Sequence, residues 1–188
     1  SGGGGGGGGE GGEGGAGLGG RRSMGRVSAV RRRLERYVME RLYSTVFGMG
    51  MDLVEDKVLQ AQVATLSFVS AEHLGLPPAS CAGPRWQAAI GALRRMGGAK
   101  APLDKVGCVV ATVEQLSTIT DRSDASFVRL FALAVLRARP AQLYSQLEYI
   151  ARFVHQDTLW SAESGVPFSI ARAAVQYLAH LDPMGLAK

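Results

Sequence analysis

The side chains that most often carry covalent chemistry are scattered along this sequence of 188 residues. Its three histidines (His73, His155 and His180) lie far apart, with no pair four residues apart and no cysteine cluster, so the pattern of a metal site is missing. Neighbouring carboxylates such as Asp52 and Glu55 are typical of the first turn of a helix. A nucleophile elbow and a glycine-rich phosphate loop followed by lysine are also missing. The sequence therefore predicts an interaction domain with no metal and no cofactor, and not a hydrolase or an oxidoreductase.

Glycine and arginine are concentrated near the amino terminus. Sixteen of the 26 glycines fall in residues 1–25, where almost no side chain is available for burial, so we expect residues 1–26 to form a disordered and dispensable tail. The arginines from Arg21 to Arg33 supply most of the net charge of +5. Such a run favours a weak attraction to anionic membranes. Because it is confined to the boundary of the fold, it argues against a nucleic-acid partner.

The cysteine content and the hydropathy indicate where such a protein works. The two cysteines, Cys81 and Cys108, both stand in apolar surroundings and predict a reduced, intracellular protein. No apolar run approaches the roughly 18 residues of a membrane span. Since the sequence begins at Ser1 and not at a methionine, it is compatible with a fragment of a longer protein. Nothing in the sequence indicates an oligomeric state.

Apolar residues recur every three or four positions along nearly the whole chain after residue 29, which is the spacing of amphipathic helices. The first two helices should each bury one apolar stripe, which consists of Val30, Leu34, Tyr37, Val38, Leu42 and Val46 in the first helix and of Val58, Leu59, Val63, Leu66 and Val69 in a helix over residues 55–69. Residues 158–167 are predicted to form a loop before the last helix. No run of alternating β-branched residues predicts a strand. The segment 127–139 is apolar nearly all round and predicts a central helix that buries Phe131 and Val135, and Leu147 should be buried on the next helix. His155 falls at the end of that helix, where a cation favours the helix dipole. The sequence predicts an all-α bundle whose helices begin at about residues 30, 55, 84, 102, 127, 140 and 168.

Three strings of residues carry a family resemblance. They are Glu35-Arg36-Tyr37-Val38-Met39 with the Leu42-Tyr43 and Val46-Phe47 pairs that follow, Ala101-Pro102-Leu103-Asp104-Lys105-Val106 with Cys108, and the segment from Leu136 to Phe153 that contains Pro140, Leu143, Ser145, Leu147, Tyr149, Ile150 and Arg152. Their order and spacing resemble the Vps-nine family (vacuolar protein sorting nine) over about residues 30–186. The likeness is greatest to its plant and algal branch.

The resemblance implies both a fold and a function. The family fold is a helical bundle packed on a layered helical core, so we assign residues 27–98 to the bundle and residues 99–186 to the Vps-nine-like core. Family members are guanine-nucleotide exchange factors for early-endosomal Rab GTPases of the Rab-five group, which act in endocytosis and in vesicle-mediated protein transport. The implied partner is a Rab-family small GTPase, preferably nucleotide-free. The implied location is the cytoplasm, at the periphery of early endosome membranes.

Exchange in this family involves no covalent chemistry, and so no enzyme of that kind is expected. A family aspartate pairs with the phosphate-loop lysine of the GTPase and opposes Mg²⁺ binding. When the sequences are anchored on Pro140 without a gap, that aspartate aligns with Ala125. Asp124 lies one position earlier in a loop that can absorb the shift, so it is the predicted catalytic carboxylate, with Asp121 as the next candidate. An ordinary N-cap before Phe127 remains an equal alternative for Asp124.

A family tyrosine that contacts the GTPase switch regions aligns with Val166, while Ser169 keeps the hydroxyl of a family threonine. We expect Phe127, Val166 and Phe168 to line an apolar groove. Arg129 stands where the family has proline, and it could pair with Asp124 or Asp121, or with an acidic residue of the GTPase. The binding surface should lie where residues 121–126 meet residues 163–169.

Three hypotheses about function follow. The first is a working exchange factor that uses Asp124. The second is an exchange-dead Vps-nine-like scaffold or GTPase-binding module, since Ala125 and Val166 occupy the family aspartate and tyrosine positions. The third is an unrelated α-helical adaptor.

Overall fold

A computed structural model describes the backbone of residues 17–186 and the side chains of residues 29–186. Every regular element in this range is helical, which confirms the predicted all-α class. No helix among the described residues has both the length and the apolarity that a membrane crossing requires. The nine α-helices of the described chain are α1 (Gly17–Val46), α2 (Asp52–Thr65), α3 (Gly83–Arg95), α4 (Pro102–Ser117), α5 (Ser126–Ala138), α6 (Leu143–Phe153), α7 (Gln156–Leu159), α8 (Gly165–His180) and α9 (Pro183–Leu186).

The backbone divides into two units, which meet after Glu35 within α1. In the first unit α1 begins at Gly17, whereas the sequence led us to expect a disordered tail up to residue 26. The residues after Leu18 include arginine and methionine, which favour helix far more than the preceding glycines do. Arg31 donates to Glu35 one turn later at 2.8 Å, an exposed pair. Residues 1–16, where most of the predicted tail falls, lie outside the described part of the chain.

Helix α5 forms the centre of the second unit. Its side chains are buried on nearly every face, because α3, α4 and α8 pack against it. Phe131 and Val135 are each only 1% exposed, and Leu147 of α6 is buried as well, so all three predicted core residues are confirmed. Pro84 and Pro102 stand in the first turns of α3 and α4, as their positions in the sequence predicted. The central helix therefore follows directly from the hydrophobic pattern.

The apolar stripes of the first two helices behave differently from the expectation. In the second unit Tyr37, Val38 and Leu42 of α1 are exposed, while Tyr43 and Phe47 on another side of the chain form the packed contacts. Val58 of α2 is also exposed, so the predicted stripe of this helix is wrong at that position. The helix covers Asp52–Thr65 and not residues 55–69.

Two buried carboxylates explain which face of α2 points into the protein. Asp56 accepts the backbone N–H of Ser145 at 3.2 Å, and it also accepts the hydroxyl of the same residue. Ser145 is the third residue of α6, so Asp56 satisfies one of the N–H groups that a helix start leaves unpaired. One turn earlier, Asp52 forms a bidentate pair with Arg152 near the other end of α6, at 2.5 and 2.8 Å. Helix α2 therefore presents carboxylates to both ends of α6 and leaves Val58 in solvent.

Lys105 of α4 is fully buried and joins three helices of the second unit. Its Nζ atom donates to the carbonyl oxygen of Met96 at 3.2 Å and to Oε1 of Gln146 on α6. The same ammonium lies 4.9 Å from the ring centroid of Tyr43 and 5.1 Å from that of Phe47. Burial lowers the pKa of Lys105 to about 8. The lysine of the second sequence string is thus a core residue that holds the carboxyl end of α1.

Candidate functional site

The loop between α4 and α5 carries the two predicted carboxylates. Asp121 stabilises the first half of this loop, because its Oδ1 atom accepts both the backbone N–H and the hydroxyl of Ser123 at 2.9 Å. Asp124 folds the second half, where its Oδ1 atom accepts the backbone N–H of Ser126 at 2.7 Å. Ser126 is the first residue of α5. Asp124 therefore accepts a hydrogen bond at the start of α5, although Ala125 occupies the N-cap position itself.

Both carboxyl groups are exposed and ionised at neutral pH. The hydrogen bonds from Ser123 lower the pKa of Asp121, although the nearby charge of Asp124 acts in the opposite direction. The hydrogen bonds from Ser126 lower the pKa of Asp124, with a smaller contribution from the Arg129 guanidinium. The hydrogen bonds of 2.7–2.9 Å that shape this loop all reach the Oδ1 atoms of the two aspartates. Both exposed carboxylates can pair with cations of a partner, whereas acid catalysis would require a raised pKa.

A shallow depression of about 520 Å³ adjoins the first carboxylate. It is lined by residues 117–122, and Arg122 spans it by donating to the hydroxyl of Ser117 at 2.5 Å. Among the described residues, no group of three histidine, cysteine, aspartate or glutamate side chains is placed to hold a metal ion. The loop thus offers a polar surface with two anionic oxygens.

A short helix that the sequence did not suggest precedes the second predicted segment, residues 163–169. Helix α6 ends at Phe153, and His155 starts the four-residue helix α7. The Nδ1 atom of His155 accepts the backbone N–H of Asp157 at 3.3 Å. His155 therefore caps the start of α7, and the expectation that it ends α6 as a dipole-stabilising cation is wrong.

Gly165 fixes the turn from α7 to α8. Its N–H donates to the carbonyl oxygen of Ser161 at 2.8 Å. A Cβ atom at this position would overlap the carbonyl oxygen of Leu159 and would lie 3.6 Å from the carbonyl carbon of Trp160. The absence of a side chain thus allows the first turn of α8 to lie directly against the end of α7. The same contact fixes the position of the next residue, Val166, at the start of α8.

The predicted groove residues divide into exposed and buried side chains. Val166 is 48% exposed and Ser169 is exposed too, so both are available to a partner. Phe127 and Phe168, in contrast, are 1% and 8% exposed and belong to the hydrophobic core. Their helices α5 and α8 pack against each other, and so the two rings support the surface from beneath.

Arg129 is half-buried on α5, and its guanidinium lies against Gly75: a Cβ atom added there would be 3.3 Å from Nη1. It forms no ion pair within 4 Å of Asp121 or Asp124, although its charge lowers the pKa of Asp124. No hydrogen bond or ion pair joins residues 121–129 to residues 163–169 within the described chain. The two segments are connected through the packing of α5 on α8.

Trp160 is the residue that the sequence analysis missed. At 83% exposure it is the most exposed large apolar side chain among the described residues. It follows α7 directly, within a stretch that the sequence indicated only as a loop. The available signal was a tryptophan in a polar segment that belongs to no hydrophobic stripe.

The match to a known family covers both segments. The family model described as the vacuolar sorting protein 9 (VPS9) domain matches residues 86–183. The chain belongs to the VPS9 domain family. This match extends from α3 to the start of α9, and it includes both the Asp124 loop and the turn before Val166. The family predicted from the three sequence strings is therefore confirmed.

Curated relatives extend the likeness to most of the chain. Vacuolar protein sorting-associated protein vps901 of Schizosaccharomyces pombe is 25% identical over 178 residues, which cover 85% of this chain and 31% of the relative. Vacuolar protein sorting-associated protein 9A of Arabidopsis thaliana is 25% identical over 166 residues, or 82% of this chain and 32% of the relative. Rab5 GDP/GTP exchange factor of Homo sapiens is 27% identical over 172 residues, or 86% and 35%.

This VPS9 chain thus spans about a third of the length of these curated relatives. Because the identities are nearly equal, the special likeness to the plant and algal branch stays a prediction.

Proposed function

We propose that this VPS9 domain is a guanine-nucleotide exchange factor for Rab-family small GTPases of the Rab-five group. The observation that carries the proposal is the family match over residues 86–183, which includes both predicted partner-binding segments. A relative of similar sequence over 86% of this chain is named Rab5 GDP/GTP exchange factor. The cellular role that follows is endocytic and vacuolar vesicle transport.

The proposed mechanism is exchange by competition, without covalent chemistry. The chain binds the nucleotide-free GTPase most tightly, and the exposed carboxylate of Asp124 pairs with a cation that would otherwise hold nucleotide phosphate. By linkage, the factor by which the exchange factor lowers the affinity of the GTPase for nucleotide equals the factor by which nucleotide lowers the affinity of the GTPase for the exchange factor. The low pKa of Asp124 supports this role, because the carboxylate stays charged at neutral pH.

The apolar part of the proposed surface surrounds the start of α8. Val166 and Ser169 meet the GTPase directly, while Phe127 and Phe168 hold α5 and α8 in register below them. Arg129, which forms no ion pair with Asp121 or Asp124, meets an acidic residue of the GTPase. Asp121 stands three residues from Asp124 and is the reserve carboxylate.

The remaining parts of the proposal concern organisation and location. Residues 27–98 form the supporting helical bundle, residues 99–186 form the VPS9 core, and residues 1–26 are dispensable for binding. The arginines from Arg21 to Arg33 give a weak attraction to anionic membranes. The chain then works from the cytoplasm at the periphery of early endosomes.

A nucleotide-release assay with two variants of Asp124 tests the proposal. Fluorescent GDP release from purified Rab GTPases is followed with wild-type protein, Asp124→Ala and Asp124→Asn. Asparagine caps a helix as well as aspartate does but carries no charge, so Asp124→Asn should keep the wild-type Tm. We expect both variants to lower the exchange rate at least tenfold, which is about 1.4 kcal/mol of transition-state stabilisation.

Other results would redirect or remove the proposal. If Asp124→Asn is fully active and only Asp124→Ala is impaired, the carboxylate serves as a cap, and Asp121→Asn is the next variant. A wild-type chain that binds the GTPase but never accelerates release leaves the exchange-dead scaffold, the hypothesis favoured by Ala125 and Val166. If no Rab GTPase binds, the proposed function is wrong.

A further inference from the structure

Trp160 presents nearly its whole indole to solvent from a fixed backbone. The backbone N–H of Trp160 donates to the carbonyl oxygen of Gln156 at 2.8 Å. The next residue, Ser161, donates its backbone N–H and its hydroxyl to the carbonyl oxygen of Thr158, at 3.3 and 2.8 Å. A large aromatic side chain on an ordered backbone loses little conformational entropy when a partner covers it. Tryptophan is accordingly among the commonest anchor residues of protein interfaces.

The close contact at Gly165 brings Trp160 to the predicted partner surface. The backbone of Gly165 lies against the carbonyl groups of Leu159 and Trp160, and Val166 follows directly. A Cβ atom at Gly165 would lie 3.6 Å from the carbonyl carbon of Trp160, which places the Cα atoms of these two residues within about 7 Å of each other. Since consecutive Cα atoms are 3.8 Å apart, the Cα atoms of Trp160 and Val166 are separated by no more than about 10 Å. Both side chains are exposed. An aromatic side chain is therefore available close to the position where Val166 offers only an aliphatic one.

The charges around Trp160 indicate the chemistry of the partner. Besides His155, the charged residues of the segment 155–166 are Asp157 and Glu163, both acidic and both exposed. An apolar anchor bordered by carboxylates complements an apolar patch bordered by lysine or arginine. The same carboxylates oppose insertion into an anionic membrane.

We propose that Trp160 is the aromatic anchor through which this VPS9 domain binds its GTPase, and that it compensates for the aliphatic Val166. The proposal rests on the proposed function, and it assigns a specificity-determining contact to a residue outside the α5 and α8 helices. The GTPase surface that meets it is apolar and has a basic rim.

Calorimetric titration of nucleotide-free Rab GTPase provides the first test. The proteins compared are the wild type, Trp160→Ala, Trp160→Phe and the control Phe68→Ala, which removes another exposed aromatic ring from a distant part of the sequence. We expect Trp160→Ala to weaken binding at least tenfold, Trp160→Phe to retain part of the affinity, and Phe68→Ala to bind as the wild type does. Thermal unfolding should be unchanged in Trp160→Ala, because the side chain buries almost nothing.

Fluorine NMR of fluorotryptophan-labelled chain gives a second, independent readout. The chain has two tryptophans, Trp160 and the core residue Trp86, which is 3% exposed. Addition of unlabelled GTPase should shift or broaden the Trp160 signal and leave that of Trp86 in place.

The outcomes separate this inference from the proposed function. Wild-type binding with an unaffected Trp160→Ala variant overturns the inference and leaves the exchange function standing. A Trp160 signal that responds to anionic phospholipid vesicles but not to GTPase also overturns it. A wild-type chain that binds no Rab GTPase overturns both proposals.

Discussion

Replacing Gly165 by alanine tests the backbone contact that fixes the turn before α8. A Cβ atom at this position would overlap the carbonyl oxygen of Leu159 and would lie 3.1 Å from its carbonyl carbon. Both obstacles are backbone atoms, so no side chain can rotate away, and the turn must instead move apart from α8. Forcing an extra carbon into a packed position of this kind costs about 1–3 kcal/mol.

The general rule for glycine in helices predicts the opposite sign. Gly165 is the first residue of α8, and within helices alanine is usually the more stable residue by about 0.5–1 kcal/mol. Gly107 supplies a matched control, because it is exposed within α4 and a Cβ atom there would meet nothing within 4 Å. We therefore expect Gly107→Ala to stabilise the protein and Gly165→Ala to destabilise it.

Thermal unfolding followed by circular dichroism measures both changes. For a domain of this size, 1 kcal/mol corresponds to about 3 °C in Tm, so Gly165→Ala should lower Tm by about 3–9 °C and Gly107→Ala should raise it by about 2–3 °C. Because Gly165 positions Trp160 and Val166, its substitution should also weaken GTPase binding, whereas Gly107→Ala should not. A Gly165→Ala protein with an equal or higher Tm would refute the backbone contact.

Two further predictions concern the core. The side chain of Phe131 on α5 is almost completely buried. Phe131→Ala should therefore lower the free energy of unfolding, measured with urea, by about 3–5 kcal/mol. A loss below 1 kcal/mol would contradict its central position. Burial lowers the pKa of Lys105 to about 8, so above that pH the unfolded chain, with a lysine pKa of about 10.4, binds more protons than the folded one. Stability should therefore rise from pH 8 to 9.5 more steeply in the wild type than in Lys105→Met, and parallel profiles would show that Lys105 does not titrate there.

The central helix could be predicted from the sequence because its hydrophobic pattern is compatible with only one environment. A segment that is apolar nearly all round, such as 127–139, is stable only when other helices surround it. Pro84 and Pro102 add start signals that depend on local backbone chemistry alone. Where burial and local geometry agree in this way, the sequence suffices to place the helix.

The first two helices show where the pattern stops being sufficient. An amphipathic stripe indicates which residues share a face, but it does not identify the neighbour that covers that face. On α2 the orientation is decided by Asp52 and Asp56, whose partners Arg152 and Ser145 lie far along the chain. Polar contacts of such sequence separation have no local periodicity, and so Val58 was expected on the wrong side.

The candidate site is less predictable still, because exposed side chains such as Asp124 and Trp160 leave no trace in the hydrophobic pattern. Asp124 illustrates the difficulty, since its carboxylate accepts a hydrogen bond at the start of α5 and is also exposed to a partner, so its presence in the sequence fits either role. Trp160 illustrates the opposite case, in which nothing in the fold accounts for the residue. A tryptophan with 83% of its surface in solvent stabilises the folded chain very little, while its backbone is held by hydrogen bonds that do not depend on the indole. The side chain at this position can therefore change without cost to the fold, and this freedom allows an aromatic residue to stand six positions before the aliphatic Val166, where we propose the contact with the GTPase.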